Sequence, residues 1–98
     1  MGTVTAETSP YRYDVATTAL MVIDMQNDFC MAGGYGALMG YDVALTRAPI
    51  EPISRVLAAA RDAGLMVIHT REGHRPDLSD CPKNKLEHSK QMGAGIGD

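Results

Sequence analysis

The stretch TALMVIDMQNDF, Thr18 to Phe29, reads as a buried strand that breaks its own pattern. Ala19 to Ile23 run without a polar interruption, and the next residue is Asp24. An uninterrupted apolar run this short, rather than an alternating one, is the pattern of a strand covered on both faces, as in a parallel sheet. A carboxylate at the end of such a strand stands out, because ligands of parallel α/β sheets bind beyond the carboxyl ends of the strands.

Working outward, LMVIHT, Leu65 to Thr70, is a second run of the same kind. Between the two lies APIEPISRVLAAARDAG, in which Ile50, Ile53, Val56, Leu57 and Ala60 keep the spacing of one helical face. Pro49 and Pro52 fit only the first turn, where their missing N–H groups have no helical partner to lose. Gly64 is the natural stop. Strand, helix, strand in this order predicts a parallel βαβ unit, hence an α/β fold, with a right-handed crossover.

The remaining segments carry weaker signals. Residues 1–16 are polar and read as a loose N-terminal arm, and Met25 to Thr46 as a long connection containing AGGYGALMG. The stretch from Arg71 onward is polar and punctuated by Gly and Pro, with a short helical turn around Lys83 to Met92. Two strands and one helix leave a sheet face and both edges uncovered. Residues 17–98 are therefore expected to form the N-terminal part of a larger domain whose C-terminal part is missing.

Composition narrows the function. A net charge of −3 over 98 residues, with no basic run, argues against nucleic-acid binding. The apolar runs are too short to span a bilayer, and MGTVTAETSPYRYD lacks the apolar core of a secretory signal. Cys30 and Cys81 form no CxxC pair and read as free thiols of a reducing compartment, so a cytoplasmic location is expected.

Each candidate residue has a plainer alternative. Asp24 at the strand end is either a site carboxylate or a turn residue held through an Asx hydrogen bond or an Arg. Asp28 suits a turn. Phe29, the single Phe of the chain, either plugs the core or lines a pocket. Cys30 suits a nucleophile only if a histidine such as His69 or His74 lies beside it in space, and suits a small buried hydrophobe otherwise. Glu72, His74 and His88 are chemically competent metal ligands, but their spacing is generic. GGYG and GAGIGD lack the strand-to-helix context of a phosphate loop and read as flexible segments.

The stretch ALMVIDMQNDF resembles the N-terminal motif of the isochorismatase-like cysteine hydrolases. GGYGALMGYDVALTRAPIEPISRVLAAAR, VIHTREGHRPDLSDCPKNK and GAGIGD together resemble its biuret amidohydrolase branch, whose near relatives act on triuret and ureidoacrylate. The resemblance, over residues 18–98, implies a Rossmann-like three-layer domain with an Asp–Lys–Cys triad. It implies that Asp24 is the triad acid/base, that Gln26 and Phe29 border the substrate pocket, and that Arg71 and Glu72 lie near it. It implies hydrolysis of a linear C–N amide in a small urea-like substrate, biuret to allophanate and ammonia, with no cofactor; the alternatives are another amidase of the superfamily, of ureidoacrylate, triuret, carbamoyl-amine or nicotinamide type, or a non-catalytic truncated binding chain. Nicotinamidase relatives carry an Asp-x-His metal pair where this chain has Glu72-Gly73-His74, but no metal is expected on this branch. The triad Lys and Cys fall beyond Asp98, and neither Cys30 nor Cys81 stands in the nucleophile's context. The 98 residues alone are therefore expected to be inactive, and the full-length enzyme to be a homo-oligomer.

Overall fold

The structure is a computed structural model that describes residues 1–97; Asp98, the last residue of GAGIGD, lies outside the described residues. The chain divides into two compact units, one from Met1–Ile23 with Glu51–Thr70, the other from Asp24–Ile50 with the residues from Arg71 onward.

The N-terminal arm, in the first unit, is more ordered than its composition suggests. Strands β1, Gly2–Val4, and β2, Tyr11–Tyr13, form an antiparallel pair, followed by a 3₁₀ turn at Val15–Thr17 capped by the Asp14 carboxylate. Thr3 and Val4 in β1 and Tyr11 and Tyr13 in β2 supply strand propensity that a count of polar residues overlooks.

The same unit contains the βαβ segment. Strand β3, Ala19–Val22, pairs in parallel with β4, Met66–His69, in the register Ala19–Met66 to Val22–His69. The Thr70 N–H extends the ladder by donating to the Val22 carbonyl at 2.9 Å. Both strands are shorter than the segments expected for them, Thr18 to Asp24 and Leu65 to Thr70, and the fold class is α/β as expected. Between them runs α4, Ile50–Ala63, with Pro52 inside its first turn. Gly64 ends it at φ +82°, a left-handed conformation in which a side chain is strained.

Burial within this unit follows the number of elements. Val22 and Ala60 are buried and Leu20, Val67, Ile53 and Leu57 are half-buried. Met21, Ile23, Met66 and Ile68, on the alternate face of the sheet, are exposed. The runs suggest cover on both faces, but this unit covers only one. Val56, on the apolar stripe of α4, is also 53% exposed, since a two-stranded sheet is too narrow to hide a whole helical stripe.

In the second unit the long connection holds three short helices, α1 (Asn27–Cys30), α2 (Tyr35–Leu38) and α3 (Val43–Arg47). Gly34 belongs to close packing rather than to flexibility: a Cβ there would lie 2.7 Å from the Asn27 carbonyl oxygen and 2.8 Å from that of Asp28. Asp42 caps α3 by accepting from the Ala44 N–H at 3.0 Å. Helix α1 is tied to α3 where the Arg47 guanidinium donates to the Cys30 carbonyl at 3.1 Å. Helix α5, Lys83–Gln91, is longer than a single turn and ends through Gly93, at φ +79°. Ala94 beyond it is 1% exposed and donates its N–H to the Ser89 carbonyl at 2.8 Å.

Candidate active site

Asp24 is half-buried and follows β3 after Ile23. Its φ of +53° is uncommon for a residue with a side chain, though Asp and Asn tolerate it best. The Asp24 carbonyl accepts from the Gln26 N–H at 2.9 Å, so the chain turns sharply as it leaves the strand. The left-handed residue redirects the backbone there. Conformations of this sort cluster at functional sites.

The second unit encloses a cleft of about 800 Å3. Gln26, Phe29 and Glu72 contribute to its wall, whereas Asp24 and Arg71 are not among its lining residues. Its aromatic lining comes from Phe29, Tyr35 and Tyr41. Phe29 meets Tyr35 edge-on, with ring centres 6.5 Å apart and planes at 81°. The Tyr35 hydroxyl is anchored at 2.8 Å to Ser89 Oγ, a side chain fully buried in α5. Gly95, Ile96 and Gly97 of the GAGIGD stretch line the cleft too.

Gln26 grips the chain after β4. Its Nε2 donates to the Glu72 carbonyl at 2.9 Å, and its Oε1 accepts from the Glu72 N–H at 2.8 Å. The carboxamide thus imitates a neighbouring strand. It retains one N–H and one lone pair for a ligand.

The cleft lining also holds a polar cluster. Lys85 Nζ lies 2.9 Å from Glu72 Oε1 and 2.9 Å from His74 Nε2. The hydrogen bond to Glu72 holds the Lys85 ammonium above its ordinary pKa, against a smaller opposing effect of burial. A charged ammonium only donates, so His74 Nε2 accepts and the ring proton sits on Nδ1, which faces Asp80 Oδ1 at 3.5 Å. The two groups of the Glu72-Gly73-His74 segment that suit a metal are therefore engaged by an ammonium. Among the described residues, no three of His, Cys, Asp and Glu converge as a metal site. Sequence reasoning missed Lys85; it sits in a polar helix with no local signal, and only its helical spacing from Pro82 onward hints that one face turns inward.

Both cysteines are buried, Cys30 at 6% exposure and Cys81 at 8%. Cys30 Sγ points to the Thr46 carbonyl at 3.8 Å and Cys81 Sγ to that of Pro82 at 3.9 Å. Buried thiols aimed at carbonyls suit packing rather than attack on a substrate. Among the described residues no helix is long and apolar enough to cross a membrane.

The isochorismatase domain family matches residues 18–97. Ureidoacrylate amidohydrolase RutB from one strain of Methylorubrum extorquens is 44% identical over 79 residues. The protein of the same name from a second strain of that species is also 44% identical over 79 residues. Each alignment covers 81% of this chain and 32% of the relative, so the chain spans about a third of the length of the relatives it matches.

Proposed function

Because the chain belongs to the isochorismatase family, we propose that it carries the acid/base carboxylate of a cysteine-dependent amidohydrolase acting on linear C–N bonds of urea-like substrates. The observation that carries the reading is Asp24 itself, a left-handed aspartate two residues past the end of a parallel strand, in the motif IDMQNDF. The family's biuret branch suggests biuret as substrate, giving allophanate and ammonia. The name of the aligned relatives favours a second reading, ureidoacrylate. Both compounds present the same carbamoyl group, a terminal amide nitrogen on a carbonyl whose other neighbour is a second nitrogen.

The chemistry is common to both. A cysteine thiol gives its proton to Asp24, and the thiolate attacks the carbamoyl carbon. The bond from that carbon to the terminal nitrogen breaks, Asp24 returns the proton, and ammonia leaves. Water then cleaves the resulting S-thiocarbamate, regenerating the thiol and releasing the carbamate. A lysine would hold thiolate and carboxylate in their charged forms. The nucleophilic Cys and this Lys are assigned to the part of the family domain not represented in these 98 residues, and the complete enzyme is read as a homo-oligomer.

The test uses the protein as its gene encodes it. Ammonia release is measured from biuret, ureidoacrylate and nicotinamide, before and after thiol alkylation. Turnover of a ureido compound is expected, with loss on alkylation and survival in Cys30→Ser and Cys81→Ser. Hydrolysis that persists with every thiol blocked would overturn the proposal; loss in Cys30→Ser alone would show that the nucleophile is misassigned.

A further inference from the structure

Gln26 occupies the N-cap of α1 in an extended conformation. That position favours Ser, Thr, Asp and Asn, whose short side chains reach the first N–H groups of a helix. The Gln26 side chain makes no capping bond to α1. Its carbonyl accepts the first helical bonds, from the Phe29 and Cys30 N–H groups, each at 3.0 Å. Its N–H donates to the Asp24 carbonyl at 2.9 Å, and its carboxamide is engaged at both ends by the Glu72 backbone. One residue therefore joins the turn at Asp24, the start of α1 and the chain at Glu72.

These attachments are themselves anchored within the same unit. The Glu72 carboxylate accepts from Lys85 Nζ of α5 at 2.9 Å, and the last residue of α1 is held to α3 through Arg47. Asp24 sits at φ +53°, which a residue with a side chain keeps only where its surroundings over-determine it. The bond from the Gln26 N–H reaches back only two residues, so it closes the turn but does not by itself fix it. The carboxamide supplies a fixed point outside the turn. Reach also explains the residue type. Asn carries the same amide one methylene nearer the backbone, and at an N-cap it bonds to the helix instead.

We infer that Gln26 is a positioning residue for Asp24: its carboxamide clamps the turn after Asp24 onto the Glu72 backbone and so holds the left-handed conformation from which the carboxylate acts. The inference rests on the proposed acid/base role of Asp24 and deepens it. Proton transfer tolerates little displacement, and a misplacement of about 1 Å can cost about 100-fold in rate. Because Gln26 acts through Asp24 rather than through contact with substrate, its loss falls on kcat and not on KM.

The experiment measures kcat and KM on biuret and ureidoacrylate in the gene-encoded protein, in Gln26→Asn, Gln26→Leu and Asp24→Asn, and in the double variant Gln26→Asn with Asp24→Asn. Both Gln26 variants are expected to lose about 10- to 100-fold in kcat with KM within about threefold of the parent. Gln26→Asn can still cap α1, so it carries the test if the Leu variant folds poorly. In the Asp24→Asn background the same Gln26 change should cost no more than about threefold, because the group it positions is already gone. Gly64→Ala, a destabilising change at the end of α4, controls for stability alone and should leave kcat at the parental value. A loss confined to KM, or losses that multiply in the double variant, would overturn the inference. So would near-parental kcat in both Gln26 variants while Asp24→Asn is impaired, which leaves the acid/base reading standing; near-parental kcat in Asp24→Asn itself would remove both.

Discussion

Replacing Gln26 by Leu removes both hydrogen bonds that join its carboxamide to the backbone of Glu72, at 2.9 and 2.8 Å. Each such bond contributes about 0.5–1.5 kcal/mol net. Gln26 is half-buried and Glu72 exposed, so water replaces part of what is lost. A local destabilisation of about 1–2 kcal/mol follows, which is roughly a 5- to 30-fold change in an opening equilibrium. Amide hydrogen exchange reads this directly. The Glu72 N–H should exchange faster by that factor in Gln26→Leu. Gln26→Glu keeps an acceptor for the Glu72 N–H but turns a second carboxylate oxygen toward the Glu72 carbonyl. It should therefore protect the amide better than Leu and worse than Gln. Exchange at Glu72 unchanged within about twofold in Gln26→Leu would refute the bridging role.

Two further outcomes follow from the geometry. Lys85→Met should cost at most about 1 kcal/mol, because the Lys85 and Glu72 side chains are 34% and 47% exposed and solvent screens the pair. Lys85 has a raised pKa in the folded state, so its contribution is fully present below its ordinary value of 10.5 and is lost as pH rises through the folded-state value. Melting curves of parent and variant should thus differ by a constant amount around neutral pH and converge in alkali; curves that already coincide at neutral pH would contradict the pairing. Gly64→Ala places a side chain at φ +82° with no atom within 4 Å of the new Cβ, so the cost is conformational, about 1–2 kcal/mol. A melting temperature equal to the parent's would show that α4 does not need its left-handed stop.

The βαβ segment was legible because its signals are local. Unbroken apolar runs, a helical stripe and a terminal glycine each speak for a few adjacent residues, and the structure places β3, α4 and β4 within a residue or two of them. Helices of four and five residues such as α1, α2 and α3 are too short to show a period, so glycines dominated the reading of that segment. The site was legible in part. Gln26, Phe29 and Glu72 do line the cleft, but the reason Gln26 matters, its grip on a backbone 46 residues away, has no trace in local pattern. The Glu72–Lys85–His74 contacts likewise depend on where α5 begins. Asp24 combines both kinds of information: its type and place are in the sequence, and its left-handed backbone is not.

The most direct test of the acid/base assignment is Asp24→Asn in the gene-encoded protein, with kcat and melting temperature measured on the same preparation. Asn keeps the size of Asp and shares its tolerance of a left-handed backbone, so the φ of +53° is not strained by the change. It cannot carry the proton. Positioned acid/base groups are worth about 10²- to 10⁴-fold in rate. A loss of that size is expected in kcat on the ureido substrate, with a melting temperature close to the parent's and slower alkylation of the active-site thiol at neutral pH. A variant that melts several degrees lower yet turns over at near-parental kcat would contradict the assignment.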